Sequence, residues 1–149
     1  MRAVVQRVKK AGVSFDSTQR QIGAGIAVFV GVGNTDSDSD ASWLSDKILN
    51  LRIFPDENDR FDKSVMDIRG DILVVSQFTL YGNTDKGRRP DFIEAAKPEQ
   101  ALPLYEKFVE KLVASRLKVQ PGKFRAKMLV EIHNDGPVTI LLDSKTKEK

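Results

Sequence analysis

The sequence predicts a single α/β domain: a mainly antiparallel, mixed β-sheet with a barrel-like core and two long helices packed on it. Three observations carry this expectation. Apolar, β-branched runs of strand length recur at 25–32, 72–79, 127–133 and 138–142. Two other segments, 41–51 and 100–116, repeat their apolar residues with helical period. The 149 residues contain no linker, internal repeat or low-complexity block, so the length is that of one domain.

Element by element, residues 2–8 alternate as a strand, Gly12 marks a first turn, and Val13 to Phe15 reads as a short return strand. Gly25 to Val32 is apolar throughout, which predicts a strand buried on both faces. After Gly33-Asn34-Thr35-Asp36, a helix carries Ala41, Leu44, Ile48 and Leu51 on one face, with Asp38 or Ser39 as its cap. Arg52 to Phe54 reads as a short strand, Asp56 to Asp71 as an ordered surface excursion, and Ile72 to Thr79 as the next strand. Ala101, Leu104, Tyr105, Phe108 and Leu112 line the second helix, where Pro98 and Pro103 fit only near the first turn. Lys127 to His133 and Val138 to Leu142 then read as two strands joined by a tight hairpin at Asn134-Asp135-Gly136-Pro137. The domain is expected to span 1–143, leaving a charged, frayed tail at 144–149.

Composition removes much chemistry. With no cysteine there is no thiol nucleophile, disulfide or thiolate metal site, and one histidine, His133, permits no histidine-cluster metal site. The 40% hydrophobic and 30% charged balance is that of a soluble globular chain. MRAVVQRVKK breaks its apolar run with Arg7, Lys9 and Lys10, unlike a signal-peptide core, and the greasy stretch 22–33 is too short to cross a bilayer. A cytoplasmic protein without membrane contact is expected. The net charge of +3 is unevenly spread: 34–71 holds ten acids against five bases, whereas 106–127 holds seven bases against two acids and 1–20 five against one. Basic ends gathered on one face attract a polyanion such as RNA; scattered, they are merely solvated.

Motif candidates are fewer. Gly82 to Arg89 has the glycine spacing of a phosphate loop but lacks its Lys-Ser/Thr, leaving Lys86, Arg88 and Arg89 as non-specific contacts to a phosphate backbone. Gly31-Val32-Gly33 lacks the third glycine of a dinucleotide fingerprint. Asp36, Asp38 and Asp40 alternate like calcium ligands without the glycine and glutamate such a loop needs, so no metal and no cofactor are expected. Nothing marks His133 as a base. Two segments stand out: Ser76-Gln77-Phe78-Thr79-Leu80-Tyr81 ends a strand with polar side chains where an apolar run should continue, and Asn134 to Thr139 sets a proline directly after a turn glycine.

Together these segments give the chain a resemblance to the D-aminoacyl-tRNA deacylase (D-Tyr-tRNA deacylase) family over residues 1–143. SQFTLY (76–81) and NDGPVT (134–139) carry it, with MRAVVQRV, KILNLRIF (47–54), VVSQFTLY (74–81) and KGRRP (86–90) in support. The resemblance implies hydrolysis of the ester joining a D-amino acid to the terminal adenosine of tRNA, as chiral proofreading by a homodimer with its sites at the subunit interface. It implies that Gly136-Pro137 is a cis dipeptide that one subunit inserts into its partner's site, its carbonyls filling the space of an L side chain, with Arg7 holding that loop and Asn134, Val138 and Thr139 flanking it. Ser76, Gln77, Phe78 and Thr79 then surround the scissile ester, the Phe78 N–H among the contacts. The chain departs from the family pattern at Arg125, Lys127, Asp62 and Asp91, all outside the two signature segments.

The residues fit that chemistry. Enantiomers carry identical groups, so only a rigid wall on one side can separate them, and a wall that excludes L side chains cannot exclude glycine. Glycyl-tRNA is therefore an expected additional substrate. Thr79 lacks a base to make it a nucleophile, so positioning is its expected role, with water attacking an ester already activated by its vicinal hydroxyl and ammonium. A non-catalytic RNA-binding module and a general small-ester esterase are the competing readings.

Overall fold

The computed structural model describes residues 1–146. Its organising element is β1 (Arg2–Phe15), a 14-residue strand that continues through Gly12 instead of turning there. The first turn comes at Asp16-Ser17, and β2 (Thr18–Ile22) returns along 11–15. β3 (Gly25–Gly31) then pairs with residues 2–8 of the same edge of β1. An added Cβ at Gly25 would meet the Asp71 carbonyl oxygen at 1.9 Å, so only glycine lets β3 start this close to β6 (Asp71–Ser76). β3, β6 and β7 (Val119–Pro121) run parallel, while β1 pairs antiparallel with β2, β3 and β8 (Leu129–Asp143). Three antiparallel and two parallel pairings make the predicted mixed sheet, curled close to a barrel.

The C-terminal hairpin expected at Asn134–Pro137 is absent. β8 is one 15-residue element, and both of its halves pair antiparallel with β1, Ser14↔Leu129 to Val8↔Asn134 and then Gln6↔Thr139 to Arg2↔Asp143. Residues 135–138 stand opposite Arg7 alone, a wide bulge in the ladder, and a second, one-residue shift follows at Lys9, between Val8↔Asn134 and Lys10↔His133. The physical reason lies in β1, which is long enough to take both halves in one direction and so removes any need for the chain to reverse.

Curling divides the apolar residues into two cores. Val5, Ile26, Val28, Ile72 and Val74 meet α1 (Asp38–Leu49), α2 (Pro98–Val113) and the segment between. Val13, Phe15, Ala27, Leu73 and Val75 point to the other side, where Val130 and Ile132 of β8 cover them. In α1 Ala41, Leu44 and Ile48 are buried as expected, but the N-cap is Ser37: the Asp40 carboxylate reaches back to accept its N–H at 2.9 Å. Leu51 lies beyond the helix end. α2 starts at Pro98, two residues earlier than expected, because proline is suited to that first position. Residues 56–71 include a short strand, β5 (Phe61–Lys63), paired with β4 (Phe54–Pro55).

Ser144–Thr146 form a 3-10 turn instead of a frayed tail; Ser144 is buried and donates to Asp40 Oδ1 at 2.7 Å. The remainder of the expected tail, 147–149, lies outside the described residues. Among the described residues, no helix is long and apolar enough to cross a membrane.

Candidate active site

The strand expected over 72–79 ends three residues early. β6 stops at Ser76, and Phe78–Tyr81 coil into a 3-10 turn. The Gln77 N–H, donating to the Val30 carbonyl at 2.7 Å, pins the corner to the end of β3. Gly31 makes room for it: a Cβ there would sit 2.8 Å from the Gln77 carbonyl oxygen. As opening residues of a 3-10 turn, Phe78 and Thr79 have N–H groups without acceptors inside it. Gln77 Nε2 donates to Thr79 Oγ1 in a short hydrogen bond. Phe78 is 58% exposed, with its ring edge-to-face on Phe92 at 5.0 Å.

This corner forms one wall of a cavity of about 490 Å³, within the range of small-molecule sites. It opens where parallel strands β3 and β6 end, the usual place for a ligand in such a sheet. Ser76, Gln77 and Phe78 line it together with Val30, Val75, Pro98 and Tyr105. Phe124 to Ala126, with Met128 and Val130, close the far side. Arg125 is the only residue there with a formally charged side chain, and it sits at φ 65°, a conformation that costs a non-glycine residue about 1–2 kcal/mol. No carboxylate or imidazole lines this cavity among the described residues; His133 is exposed on β8, opposite Lys10. No group of three or more acidic, histidine or cysteine side chains that could hold a metal occurs among them either.

The second signature segment is held as firmly. Arg7, its side chain 11% exposed, donates from Nε to the Asp135 carbonyl at 2.9 Å and from Nη1 to the Ile53 carbonyl at 2.7 Å. It thereby ties the bulge to the residue before β4. Asn134 Oδ1 accepts the Val138 N–H at 2.9 Å, and the Thr139 hydroxyl accepts from Asn134 Nδ2 at 3.0 Å and Gln6 Nε2 at 3.1 Å. Val138 is buried, while Gly136 and Pro137 are exposed at the crest. The Gly136–Pro137 peptide is cis. Gly136 has φ 139°, and a Cβ there would lie 2.7 Å from Val138 Cγ2, so glycine is required.

Within one chain the two segments do not meet. Ser76 pairs with Val30, Val30 with Ala3, and Ala3 with Leu142, whereas the bulge stands at Arg7, four residues along β1. On the sheet this is about 13 Å along the strands and about 14 Å across them. Lys86, Arg88 and Arg89 lie in a third place, an exposed loop closed by the Asn83–Asp91 bridge, outside the cavity lining.

Sequence reasoning missed Tyr105, Phe124, Arg125 and Met128 as cavity residues. One signal was available: Tyr105 is the single polar side chain in the apolar stripe of α2.

Comparison with known proteins accords with this geometry. A family model described as D-Tyr-tRNA(Tyr) deacylase matches residues 4–143. Proteins named D-aminoacyl-tRNA deacylase from Clostridioides difficile (strain 630) and Thermotoga petrophila are 57% and 56% identical to this chain, each match covering 97% of both sequences. A solved structure described as a c-Myc DNA unwinding element binding protein superposes with a TM-score of 0.89 at 46% identity, covering 96% of this chain and 98% of that one. The fold alone is shared with a probable eukaryotic D-amino acid tRNA deacylase, TM-score 0.84 at 18% identity, over 95% of this chain and 97% of the other. With the family model spanning nearly the whole of the described fold and both signature segments inside the match, the chain belongs to the D-Tyr-tRNA(Tyr) deacylase family.

Proposed function

We propose that this D-aminoacyl-tRNA deacylase works as a homodimer in the cytoplasm, with the Ser76–Thr79 corner of one chain facing the Gly136-Pro137 crest of a second copy. The observation that carries this reading is the register separation just described. Both segments are rigidly built, yet one chain holds them on different parts of its sheet. A two-fold dimer brings a surface of one chain against a different surface of the other, twice over. Exposed Leu141 at 77% and Leu129 at 66% on β8, the strand bearing the crest, supply apolar surface for such contact.

At the joint site the terminal nucleoside of the tRNA occupies the cavity, and the ester lies at its rim beside Phe78. Water adds to the ester carbonyl carbon. The carbonyl oxygen takes up the developing charge against the main-chain N–H groups of Phe78 and Thr79, where one well-placed donor contributes about 10²–10³ in rate. The bond to the ribose 3′-oxygen then breaks, and the neighbouring 2′-hydroxyl passes the proton from water to that leaving oxygen. Free D-amino acid and tRNA result. Thr79 positions Gln77 and the substrate, because no base stands by to make it a nucleophile. The carbonyls at Gly136 and Pro137 stand on the side where an L side chain would project. Glycine has nothing to project, so glycyl-tRNA is accepted. Lys86, Arg88 and Arg89 contact the phosphate backbone.

Mixing two inactive variants tests the shared site. Gly136→Ala spoils the crest through its positive φ and close Cβ contact, and Phe78→Pro removes an N–H from the corner. Each alone is expected to lose D-Tyr-tRNA hydrolysis by 100-fold or more, on the order of one oxyanion donor. After dissociation and reassociation, half of the dimers are mixed and each keeps one intact site, so about a quarter of wild-type activity returns. Failure to complement, with both variants folded and dimeric, sinks the shared site. Equal cleavage of L-Tyr-tRNA and D-Tyr-tRNA by the wild type sinks the chiral wall, and an acyl-Thr79 adduct in the quenched reaction sinks attack by water.

A further inference from the structure

The proposed reaction depends on where the Phe78 and Thr79 N–H groups point, and therefore on what holds the turn that carries them. That turn, Phe78–Tyr81, is four residues long, and so short a 3-10 segment needs support from outside itself. At its front the Gln77 N–H is pinned to the Val30 carbonyl. At its back the Leu80 carbonyl lacks the main-chain partner that a longer turn would give it. The partner would be the Asn83 N–H, three residues on, which donates instead to the Asp91 carbonyl at 2.9 Å. Arg2 fills the gap. Its Nη1 donates to the Leu80 carbonyl at 3.2 Å, and its guanidinium lies 4.4 Å from the centre of the Tyr81 ring.

The guanidinium is itself held. Its Nε donates to Asp143 Oδ2 at 3.1 Å, and the other oxygen of that carboxylate accepts the Lys145 N–H at 2.9 Å. Its Nη2 lies 3.9 Å from the Glu94 carboxylate. Three nitrogens thus reach three segments: the end of β8, the turn, and the stretch beyond Phe92. A planar fork allows this where a single ammonium would not. The main chain of Arg2 already pairs with Gly31 and Asp143, so β1 does not need the side chain to stay in the sheet. Nor does an ion pair with partners 39% and 29% exposed add much to global stability. What the side chain fixes is the turn.

We propose that Arg2 is a positioning residue for ester hydrolysis: anchored by Asp143, it fixes the Leu80 end of the turn and thereby the direction of the Phe78 and Thr79 N–H groups. The proposal rests on the reading of those groups as donors to the ester carbonyl oxygen. Arg2 is absent from the cavity lining, so it acts on the chemical step and not on the seating of the nucleoside. Donors that drift from their aim stabilise the developing charge less, while the contacts made in the cavity are unaffected.

The test is Arg2→Met, which keeps an apolar stem over Tyr81 and removes the donors and the charge. On D-Tyr-tRNA its kcat is expected to fall about 10–100-fold with KM within about three-fold of wild type. Asp143→Asn leaves the guanidinium in place but loosens it, and should lower kcat about 3–10-fold with the same KM. The double variant should be no slower than Arg2→Met alone, because both changes act through one guanidinium. An unchanged kcat in Arg2→Met, a KM that rises as kcat falls, or losses that multiply in the double variant each overturn the proposal. If Arg2→Met does not fold, Asp143→Asn decides by the same split between kcat and KM. Amide hydrogen exchange reads the turn without substrate. The Leu80 and Gly82 N–H groups donate to the Gln77 carbonyl at 3.3 Å and the Thr79 carbonyl at 3.0 Å. In Arg2→Met they should exchange about ten-fold faster or more, while the amides of β3 and β6 keep wild-type rates. If wild type fails to hydrolyse D-Tyr-tRNA, the functional reading falls, and exchange then judges the hold on the turn separately. Faster exchange confined to those two amides upholds it, and unchanged or uniformly faster exchange overturns it.

Discussion

Two regions beside the end of β3 treat charge in opposite ways. In one, charge is concentrated and buried. Asp36 accepts the Met1 ammonium at 2.7 Å, Lys145 at 3.1 Å, the Gly33 N–H at 2.6 Å and the Tyr81 hydroxyl at 3.2 Å, with Met1 and Asp36 side chains fully withdrawn from solvent. Asp40 adds Ser144 and Ser37, so Met1 and the turn at 144–145 are both tied to the start of α1. In the other, the cavity, Arg125 alone carries charge. The contrast teaches that ionisation serves the fold here, and it is the reason the reaction proposed above relies on main-chain dipoles and on the substrate's own groups.

The largest expected effect breaks the charged side of this comparison. Asp36→Ala leaves an ammonium buried without its partner and should destabilise by about 3–5 kcal/mol in denaturant unfolding. A loss below 1 kcal/mol would mean that water replaces the carboxylate and the cluster is only ornamental.

Next comes pH. Burial favours the neutral form of Asp40, but hydrogen bonds from Ser144, Ser37 and Lys145 outweigh it and hold its carboxyl well below the usual 3.8. The unfolded chain therefore binds the proton first, and this contribution is intact above pH 4 and lost as pH falls below it. Burial, then the charge of Asp36, push the Tyr81 phenol above its ordinary 10, so its contribution fades instead on the alkaline side. Stability measured against pH should form a plateau between those limits, and Asp40→Asn should flatten its acid edge. An acid edge unchanged in that variant would assign it to other carboxylates.

The smallest effect sharpens the neutral side. Arg125→Gly relieves a left-handed residue and should raise stability by about 0.5–1 kcal/mol, the relief being partly offset by the freer unfolded chain. The same change should weaken tRNA binding and lower its salt dependence by about one ion. If salt dependence stays the same, the guanidinium does not face phosphate.

How much of this was legible beforehand follows from how local each signal is. Helices α1 and α2 were readable because a periodic stripe is decided by neighbours three and four residues away. β3 was readable for a similar reason, as an unbroken apolar run. The Asn134–Pro137 segment was readable as irregular but not as a bulge. Asn, Asp, Gly and Pro suit a reversal and an excursion equally, and the choice was made by β1, more than a hundred residues earlier. The end of β6 was misplaced by three residues because Phe78 and Leu80 look like strand residues until Gln77 is seen anchored to Val30. Signature segments exposed the corner and the crest, while the floor of the cavity stayed hidden, since Tyr105 is only one hydroxyl in a packing stripe.

The bulge in β8 carries one last consequence. Because the chain enters and leaves it through ladder hydrogen bonds, and Arg7 staples its middle, the crest has no hinge about which to swing. A gate that opened and shut would admit errors in proportion to the time it stood open. In the joint site proposed above, a fixed stencil has no such interval, so the fidelity of that site would be set when the protein folds and not by how long a substrate lingers.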